Sequence, residues 1–267
     1  TALGYIRAGD VYQVNLAHRL AASFEGAPRA LAADLFATAA PAHGVYAELP
    51  DPSANPNAGA STAVVSVSPE LFVSFDPATR RVRTEPMKGT RPITGDPAEL
   101  RASPKDRAEL DMITDLMRND LGRVCAFGSM RVDAARTIEA HGSSVWQATS
   151  TVSGILREGL TPADLVRATF PPGSVTGAPK VRAMQIIREL EPVPRGCYCG
   201  ALGWLDDSGA LSLNVGIRTA TITRDASGQG LLTYHAGAGI VADSDPDAEW
   251  AETIDKTRVL SGISTRR

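Results

Sequence analysis

Cysteine is scarce: Cys125, Cys197 and Cys199 are the only three in 267 residues. The number is odd and no CxxC spacing occurs, so the chain has neither a disulfide framework nor a zinc site, and it suits a reducing compartment. Cys197 and Cys199 read as strand neighbours. A basic excess is also missing. Lys plus Arg number 27 against 30 Asp plus Glu, a net charge of −3, so no global field holds a phosphate backbone and nucleic acid is not an expected partner. No apolar run approaches the roughly 20 residues that span a bilayer, and no charged-then-apolar leader opens the sequence. A cytoplasmic protein with no membrane association is expected. Bias toward disorder or collagen is absent too, since 43% of residues are hydrophobic and 21% charged, with 24 Gly and 18 Pro, which is ordinary globular composition. The length suits one large domain or two small ones. Thr1 to Asp10 reads like the end of a helix with its Gly9 stop, without an initiator Met, so the chain is expected to be a piece of a longer protein.

What is present is a series of short strand patterns separated by a few helices. Alternation over 11–20 predicts a strand and the Ala-rich run 30–40 a helix. The Pro/Asn/Ala/Ser-rich stretch 50–62 predicts a mobile surface loop. Residues 62–75 and 82–87 read as paired strands joined at Asp76-Pro77. A helix opens at Ser103, with Pro104 in its first turn and Asp106 at the capping-box position, and runs to about 118. Strands over 123–132 and 149–156 lead to the loop 171–177 and a helix over 179–190. The last third predicts a meander over 200–205, 211–223 and 231–241, then a helix over 246–260 capped by Ser244. Hairpin-joined strands with few helices argue an α+β fold with mainly antiparallel sheets, in a single domain spanning 1–267.

Several residues break local rules. On the helix from Ser103, Glu109 falls in the middle of the apolar stripe of Met112, Ile113, Leu116 and Met117. A carboxylate aimed at a core either pairs with a cation or serves as a ligand or catalytic acid. On the last helix Glu249, Glu252 and Lys256 share one face. Two carboxylates one turn apart are hard-oxygen donors for an ion such as Mg²⁺, and the plainer reading is an exposed face with a Glu252–Lys256 pair. The glycine-rich strand end Ala236-Gly237-Ala238-Gly239 lets a ligand approach the backbone closely, which favours a site. Gly173 to Lys180 is a glycine loop before a helix but is not a Walker A motif; its free N–H groups suit an anion such as a carboxylate. Arg218, alternating with Val215 and Ile217 on its strand, offers a bidentate fork or is simply solvated. Lys88 precedes Gly89 in a turn-like setting. In an apolar pocket its amine would become a nucleophile.

These residues sit in stretches that resemble the chorismate-utilising enzymes, and within them the aminodeoxychorismate synthase branch. The stretches are Gly9-Asp10-Val11-Tyr12-Gln13-Val14-Asn15-Leu16, Ser68-Pro69-Glu70-Leu71, Met87-Lys88-Gly89-Thr90-Arg91-Pro92, Asp106-Arg107-Ala108-Glu109, Asp115 to Val124, Thr176-Gly177-Ala178-Pro179-Lys180, Arg195-Gly196-Cys197-Tyr198-Cys199-Gly200, Ile217-Arg218-Thr219, Ala236 to Pro246 and Glu249-Trp250-Ala251-Glu252-Thr253. They run in order over nearly the whole chain. The resemblance implies two packed, mainly antiparallel sheets flanked by helices, with the site in the cleft between them, and a family N-terminal segment that is missing here. It implies Glu109 and Glu252 as Mg²⁺ ligands with Glu249 nearby, and Mg²⁺ holding a chorismate carboxylate. Arg218, Tyr198, Lys256 and the backbone of Gly237, Ala238 and Gly239 resemble the remaining carboxylate-binding set, Thr90 and Thr176 resemble site-lining residues, and Glu70 matches the general acid for the departing C4 hydroxyl. Gln13 stands where isochorismate and salicylate synthases have a water-activating lysine, so water is not the expected nucleophile. Lys88 stands where anthranilate synthases have alanine. The implied reaction is amination of chorismate at C4 through a Lys88 adduct, giving 4-amino-4-deoxychorismate for 4-aminobenzoate and folate synthesis, with ammonia from a glutamine amidotransferase partner. The alternatives are C2 amination, as in anthranilate synthase, and a non-catalytic chorismate-binding module. One departure is Gln147, where many relatives have histidine; an amide can donate a hydrogen bond but carries no charge.

Overall fold

The structure is a computed structural model that describes residues 1–50, 61–141, 145–225 and 229–260. Most of the stretch expected as a mobile loop, 51–60, lies outside the described residues. The chain divides into two compact units, one made of Thr1–Ser68, Val175–Gly200 and Gly216–Arg267, the other of Pro69–Ser174 and Ala201–Val215. Each holds one sheet, and every strand pairing given for the two sheets is antiparallel. The α+β class with two mainly antiparallel sheets and flanking helices is therefore what the chain forms.

In chain order, the elements are α1 (Ala2–Arg7), β1 (Gln13–Phe24), α2 (Pro28–Ala39), β2 (His43–Pro50), β3 (Ser61–Ser68), β4 (Leu71–Asp76), β5 (Arg81–Glu85), β6 (Met87–Pro92), α3 (Pro97–Ala102) and α4 (Pro104–Gly122). They continue as β7 (Arg131–His141), β8 (Val145–Ile155), α5 (Pro162–Thr169), β9 (Gly177–Ala178), α6 (Lys180–Leu190), β10 (Ala201–Leu205), β11 (Leu211–Val215), β12 (Thr219–Arg224), β13 (Gly230–Ile240) and α7 (Pro246–Asp255).

The first unit's sheet has the order β2-β3-β12-β13-β1-β9. Its inner rib is the eleven-residue pairing of β1 with β13, from Val14↔Ile240 to Phe24↔Gly230. Period-two alternation sorts the side chains. One face carries apolar groups that helices cover: Leu31, Ala32 and Leu35 of α2 pack on Ala63, Val65, Val67 and Ile222, and Ala183 and Ile186 of α6 pack with Ala2, Val11 and Val14. The other face carries Gln13, Asn15, Gly237, Gly239 and His235.

The second unit's sheet has the order β10-β11-β4-β5-β8-β6, with β7 also on β8. Leu100 of α3 and Leu110 of α4 pack on Ala148 of β8, with Ile138 and Trp146 beside them.

Several expectations need correction. The run 62–75 is two strands in two different sheets, β3 and β4, because Pro69 lacks the N–H that a ladder interior requires. The run 211–223 likewise divides into β11 and β12 at Gly216 to Arg218. A Cβ on Gly216 would stand 2.5 Å from the Cys197 carbonyl oxygen, and Arg218 has φ +49°, so it precedes β12 rather than alternating along a strand. The strand expected over 123–132 is a turn with one bridge, Cys125↔Leu156; the hairpin is β7 with β8, whose Ala- and Arg-rich first arm has low strand propensity that tertiary pairing overrides. Cys197 and Cys199 lie in a turn, with Cys199 at φ +60°, and none of the three cysteines is in a disulfide. The last helix is shorter than expected and its cap is Asp245, which accepts from the N–H groups of Asp247 and Ala248; Ser244 serves Glu249 instead. Ser103 caps α4 as expected, while the Asp106 carboxylate turns away to Arg91. The helix end expected before Gly9 is present as α1, and short elements that carry little periodicity, α3, α5 and β2, join the set.

Leu110 is fully buried and joins α4 to β8. Leu110→Ala should cost about 2–5 kcal/mol, read as a lowered urea midpoint with unchanged slope; a loss under about 1 kcal/mol would contradict this packing.

Candidate active site

In the second unit, a kink brings the lysine and an acid together. The register of β6 against β8 shifts between Lys88 and Thr90, and the residue between them, Gly89, has φ +77°. A Cβ there would lie 2.6 Å from Leu100 and 3.0 Å from the Asp106 carboxyl. Glycine is thus required twice, for the left-handed bulge and for the close approach of α3 and α4. The outcome is Lys88 on a strand, not in a turn, with Nζ 3.9 Å from Glu109 Oε2. Both side chains are mostly shielded, at 14% and 17% exposure.

Glu109 sits at the margin of the α4 stripe, facing Lys88 and also Lys105 at 4.0 Å. Its conflict with the apolar pattern is resolved by lysines, and the carboxylate remains partly open. Next to Lys88, the Thr90 hydroxyl accepts from Gln147 Nε2 at 3.3 Å, and Gln147 Oε1 is buried with no hydrogen-bond partner among the described residues. Arg91 is held by Asp106 at 2.9 Å, which fixes the strand beyond the bulge.

Glu70 follows Pro69 at the entry to β4 and is 3% exposed. Its Oε1 accepts from the Ser174 hydroxyl at 2.6 Å. A carboxyl kept from water with a hydroxyl on one oxygen suits proton transfer to a bound group. The glycine-loop pattern at 173–177 contains Ser174, but nothing in the sequence pairs it with Glu70, which is 104 residues away.

In the first unit, β12 stops pairing with β13 at Ala220↔Tyr234. Among the described residues the outer edge of β13 beyond Tyr234 has no strand neighbour. Lys256 donates from Nζ to the Gly237 carbonyl on that edge at 2.7 Å, and by the strand period Gly239 presents its backbone groups to the same side. The Lys256 amine also pairs with Glu252 at 2.6 Å. Glu252 is half exposed, whereas Glu249 is buried and accepts from Ser244 Oγ at 2.6 Å. The exposed-face pair is thus present on α7, and of its two carboxylates Glu252 is the one open to a ligand. Ala238 is buried against β1.

Tyr198 covers the polar face of β13. A Cβ on Gly237 would come within 2.8 Å of the Tyr198 hydroxyl, and the ring stacks on His235 with centroids 5.4 Å apart. Burial pushes the Tyr198 hydroxyl well above the ordinary tyrosine range, so it stays a donor. Burial, aided by the Arg19 charge, lowers His235 below its ordinary 6.5, and burial lowers His18 as well. Gln13 is fully buried, and among the described residues neither polar atom of its amide has a hydrogen-bond partner. Thr176 is buried, and its carbonyl accepts from the Asn15 N–H at 3.0 Å. Asn15, His235 and the Glu191–Arg195 pair were not singled out as site residues by sequence; the strand alternation of Asn15 and His235 shows a polar face, but nothing marks it as covered. Lys88, Glu70, Glu109, Thr90 and Gln147 belong to one unit, and Gln13, Thr176, Tyr198, Arg218, Gly237 to Gly239, Glu249, Glu252 and Lys256 to the other.

Residues 1–262 match the family model described as chorismate binding enzyme, and the chain belongs to that family. It is 42% identical over 263 residues to anthranilate synthase component 1 of Streptomyces coelicolor, covering 96% of this chain and 48% of that protein. To aminodeoxychorismate synthase component 1 of Salmonella typhimurium it is 41% identical over 264 residues, covering 96% and 54%. Among solved structures, anthranilate synthase component I from Streptococcus pneumoniae aligns with TM-score 0.82 and 34% identity, over 96% of this chain and 55% of that one. The chain thus spans about half the length of the curated relatives it matches. No helix among the described residues is long and apolar enough to cross a membrane.

Because the folded chain holds His235 neutral below the unfolded value of 6.5, the unfolded chain takes up the proton first as the pH falls, and stability present above about pH 6.5 declines below it. The melting temperature should drop between pH 7 and 5, and His235→Gln should make that drop shallower; an equal drop in both proteins would contradict the assignment.

Proposed function

We propose that this chain aminates chorismate at C4 to give 4-amino-4-deoxychorismate, the precursor of 4-aminobenzoate in folate synthesis. The observation that carries the reading is Lys88, shielded on its bulge and held 3.9 Å from Glu109. A lysine amine at this position, where anthranilate synthases resemble one another in having alanine, supplies a nucleophile that direct addition does not need.

In the proposed sequence the Lys88 amine, once deprotonated, bonds to C2 as both ring double bonds shift and the C4–O bond breaks. Glu70 delivers the proton with which the hydroxyl leaves as water. Ammonia then bonds to C4, both ring double bonds shift back, and the Lys88 amine is expelled from C2 while the added ammonia gives up a proton. Arg218, Lys256, Tyr198 and the Gly237–Gly239 edge bind the substrate carboxylates, Thr90, Thr176 and Gln147 line the ring, and Gln13 supplies an uncharged amide in place of a water-activating base.

Glu109 and Glu252, with Glu249 as a further candidate, are the residues proposed to hold Mg²⁺. Their chemistry fits: Glu109 is partly open and Glu252 half exposed, and both are hard-oxygen donors. Mg²⁺ is commonly held through one or two protein carboxylates, with water and substrate oxygens completing its shell. Bound there, the ion would offset the charge of a chorismate carboxylate. Ammonia is proposed to come from a glutamine amidotransferase partner, since none of the three cysteines sits in a recognisable glutaminase nucleophile setting.

Incubation with chorismate, Mg²⁺ and ammonium salts should give a product that a lyase converts to 4-aminobenzoate, and no fluorescent anthranilate. Anthranilate as the main product would replace this reading with C2 amination. Lys88→Ala should lower kcat at least about 100-fold with chorismate still bound, and Lys88→Arg should be as inactive because it has no free amine at usable pH; partial rescue by arginine would mark Lys88 as an electrostatic contact only. Glu252→Gln should abolish Mg²⁺-dependent turnover with an unchanged melting curve, and activity equal in EDTA and in Mg²⁺ would remove the metal from the scheme.

A further inference from the structure

The strand β1 runs for twelve residues, but among the described residues its outer edge meets a strand only at Gln13 and Val14, because β9 is two residues long. Beyond that point a turn and an ion pair serve as its neighbour. The Asn15 N–H goes to the Thr176 carbonyl. The Asn15 carbonyl accepts from Arg195 Nη2 at 2.7 Å, and the Ala17 N–H donates to Glu191 Oε1 at 2.9 Å. Arg195 and Glu191 are in turn joined two-fold, Nε to Oε2 at 2.8 Å and Nη2 to Oε1 at 2.5 Å. Arg195 Nη1 reaches the Val175 carbonyl at 3.0 Å, and the guanidinium carbon lies 5.7 Å from the Tyr198 ring centroid. Glu191 is 6% exposed and Arg195 15%.

One guanidinium therefore ties three segments: the edge of β1, the turn carrying Thr176, and the turn carrying Tyr198. We propose that Arg195, held by Glu191, is a positioning residue that sets the Tyr198 hydroxyl and Thr176 for the carboxylated substrate without touching it. This rests on the reading that Tyr198 and Thr176 contact chorismate, but not on which carbon is aminated. Lysine in place of arginine would keep the charge and one bond to Glu191. It has no planar fork to reach Val175 and Asn15 at once and no flat face for the Tyr198 ring.

The test is a double-mutant cycle read by chorismate affinity, measured calorimetrically on the full chain, beside melting curves. Arg195→Lys should weaken chorismate binding at least about tenfold while the melting temperature stays within a few degrees of the wild type. In a Tyr198→Phe background, which keeps the ring and removes the hydroxyl, the same change should cost no more than about threefold. If Arg195→Lys does not fold, Glu191→Gln, which keeps an acceptor for the Ala17 N–H, takes its place in the cycle. Unchanged affinity, an equal loss in both backgrounds, or a wild type with no affinity for chorismate would overturn the proposal. Product identity in the amination assay decides the reading of the reaction separately, since a C2-aminated product leaves the binding cycle intact.

Discussion

The antiparallel pairing of β1 with β13 is the constraint on which the first unit depends. It fixes which backbone groups are spent on the ladder and which are left over, and the leftovers define the site. On the β13 side, the early end of β12 leaves the edge at Gly237 and Gly239 open, and Lys256 reaches it from the end of α7. On the β1 side, the shortness of β9 leaves an edge that a turn and side chains fill. Shifting the register by one residue would send Gln13, Asn15 and His235 into the helix-covered face and Val14 and Tyr234 out of it, so polar face and apolar core are specified by the same set of hydrogen bonds.

The second unit depends on a departure from regularity. A straight β6 would place Lys88 and Thr90 on one face in simple alternation and would hold α4 further away. The bulge at Gly89 re-aims the strand and admits Leu100 and Asp106 to contact. Glu109 then reaches Lys88 from an ordinary helix without distorting it. That the neighbouring Arg91–Asp106 pair lies just past the bulge means that the kink is anchored on the same helix that carries the acid.

Much of this was legible before the fold was known, where one residue type has one physical meaning. Glu109 against an apolar stripe, Ser103 with Pro104, and Gly237 with Gly239 in a strand end all announced a local conflict or a boundary, and the resemblance in ordered motifs pointed to the chorismate-binding family. What was not legible depends on distant partners. Strand runs were read through Pro69 and Gly216 because alternation continues on both sides of each, although the chain changes sheets there. Ser244 and Asp245 are both good caps, and only the buried Glu249 carboxylate decides that the serine is taken. Glu70 with Ser174, and Arg195 with Asn15, join residues more than a hundred positions apart, so no local pattern contains them. The buried, unpartnered amide of Gln13 is likewise a property of the assembled sheet, because a glutamine on an alternating strand reads equally well as exposed.

The ion pair along β1 has a bearing on self-association. A sheet edge with a row of unused N–H and C=O groups is a template on which another extended chain can add. On β1 the edge groups of Asn15 and Ala17 are already engaged, by the Thr176 carbonyl, the Arg195 guanidinium and the Glu191 carboxylate, and all three belong to segments that stand too close to admit a strand. The site's most regular strand is thus kept from acting as a seed for intermolecular pairing by charged side chains, at the place where the polar face needs it to remain a single, fixed wall.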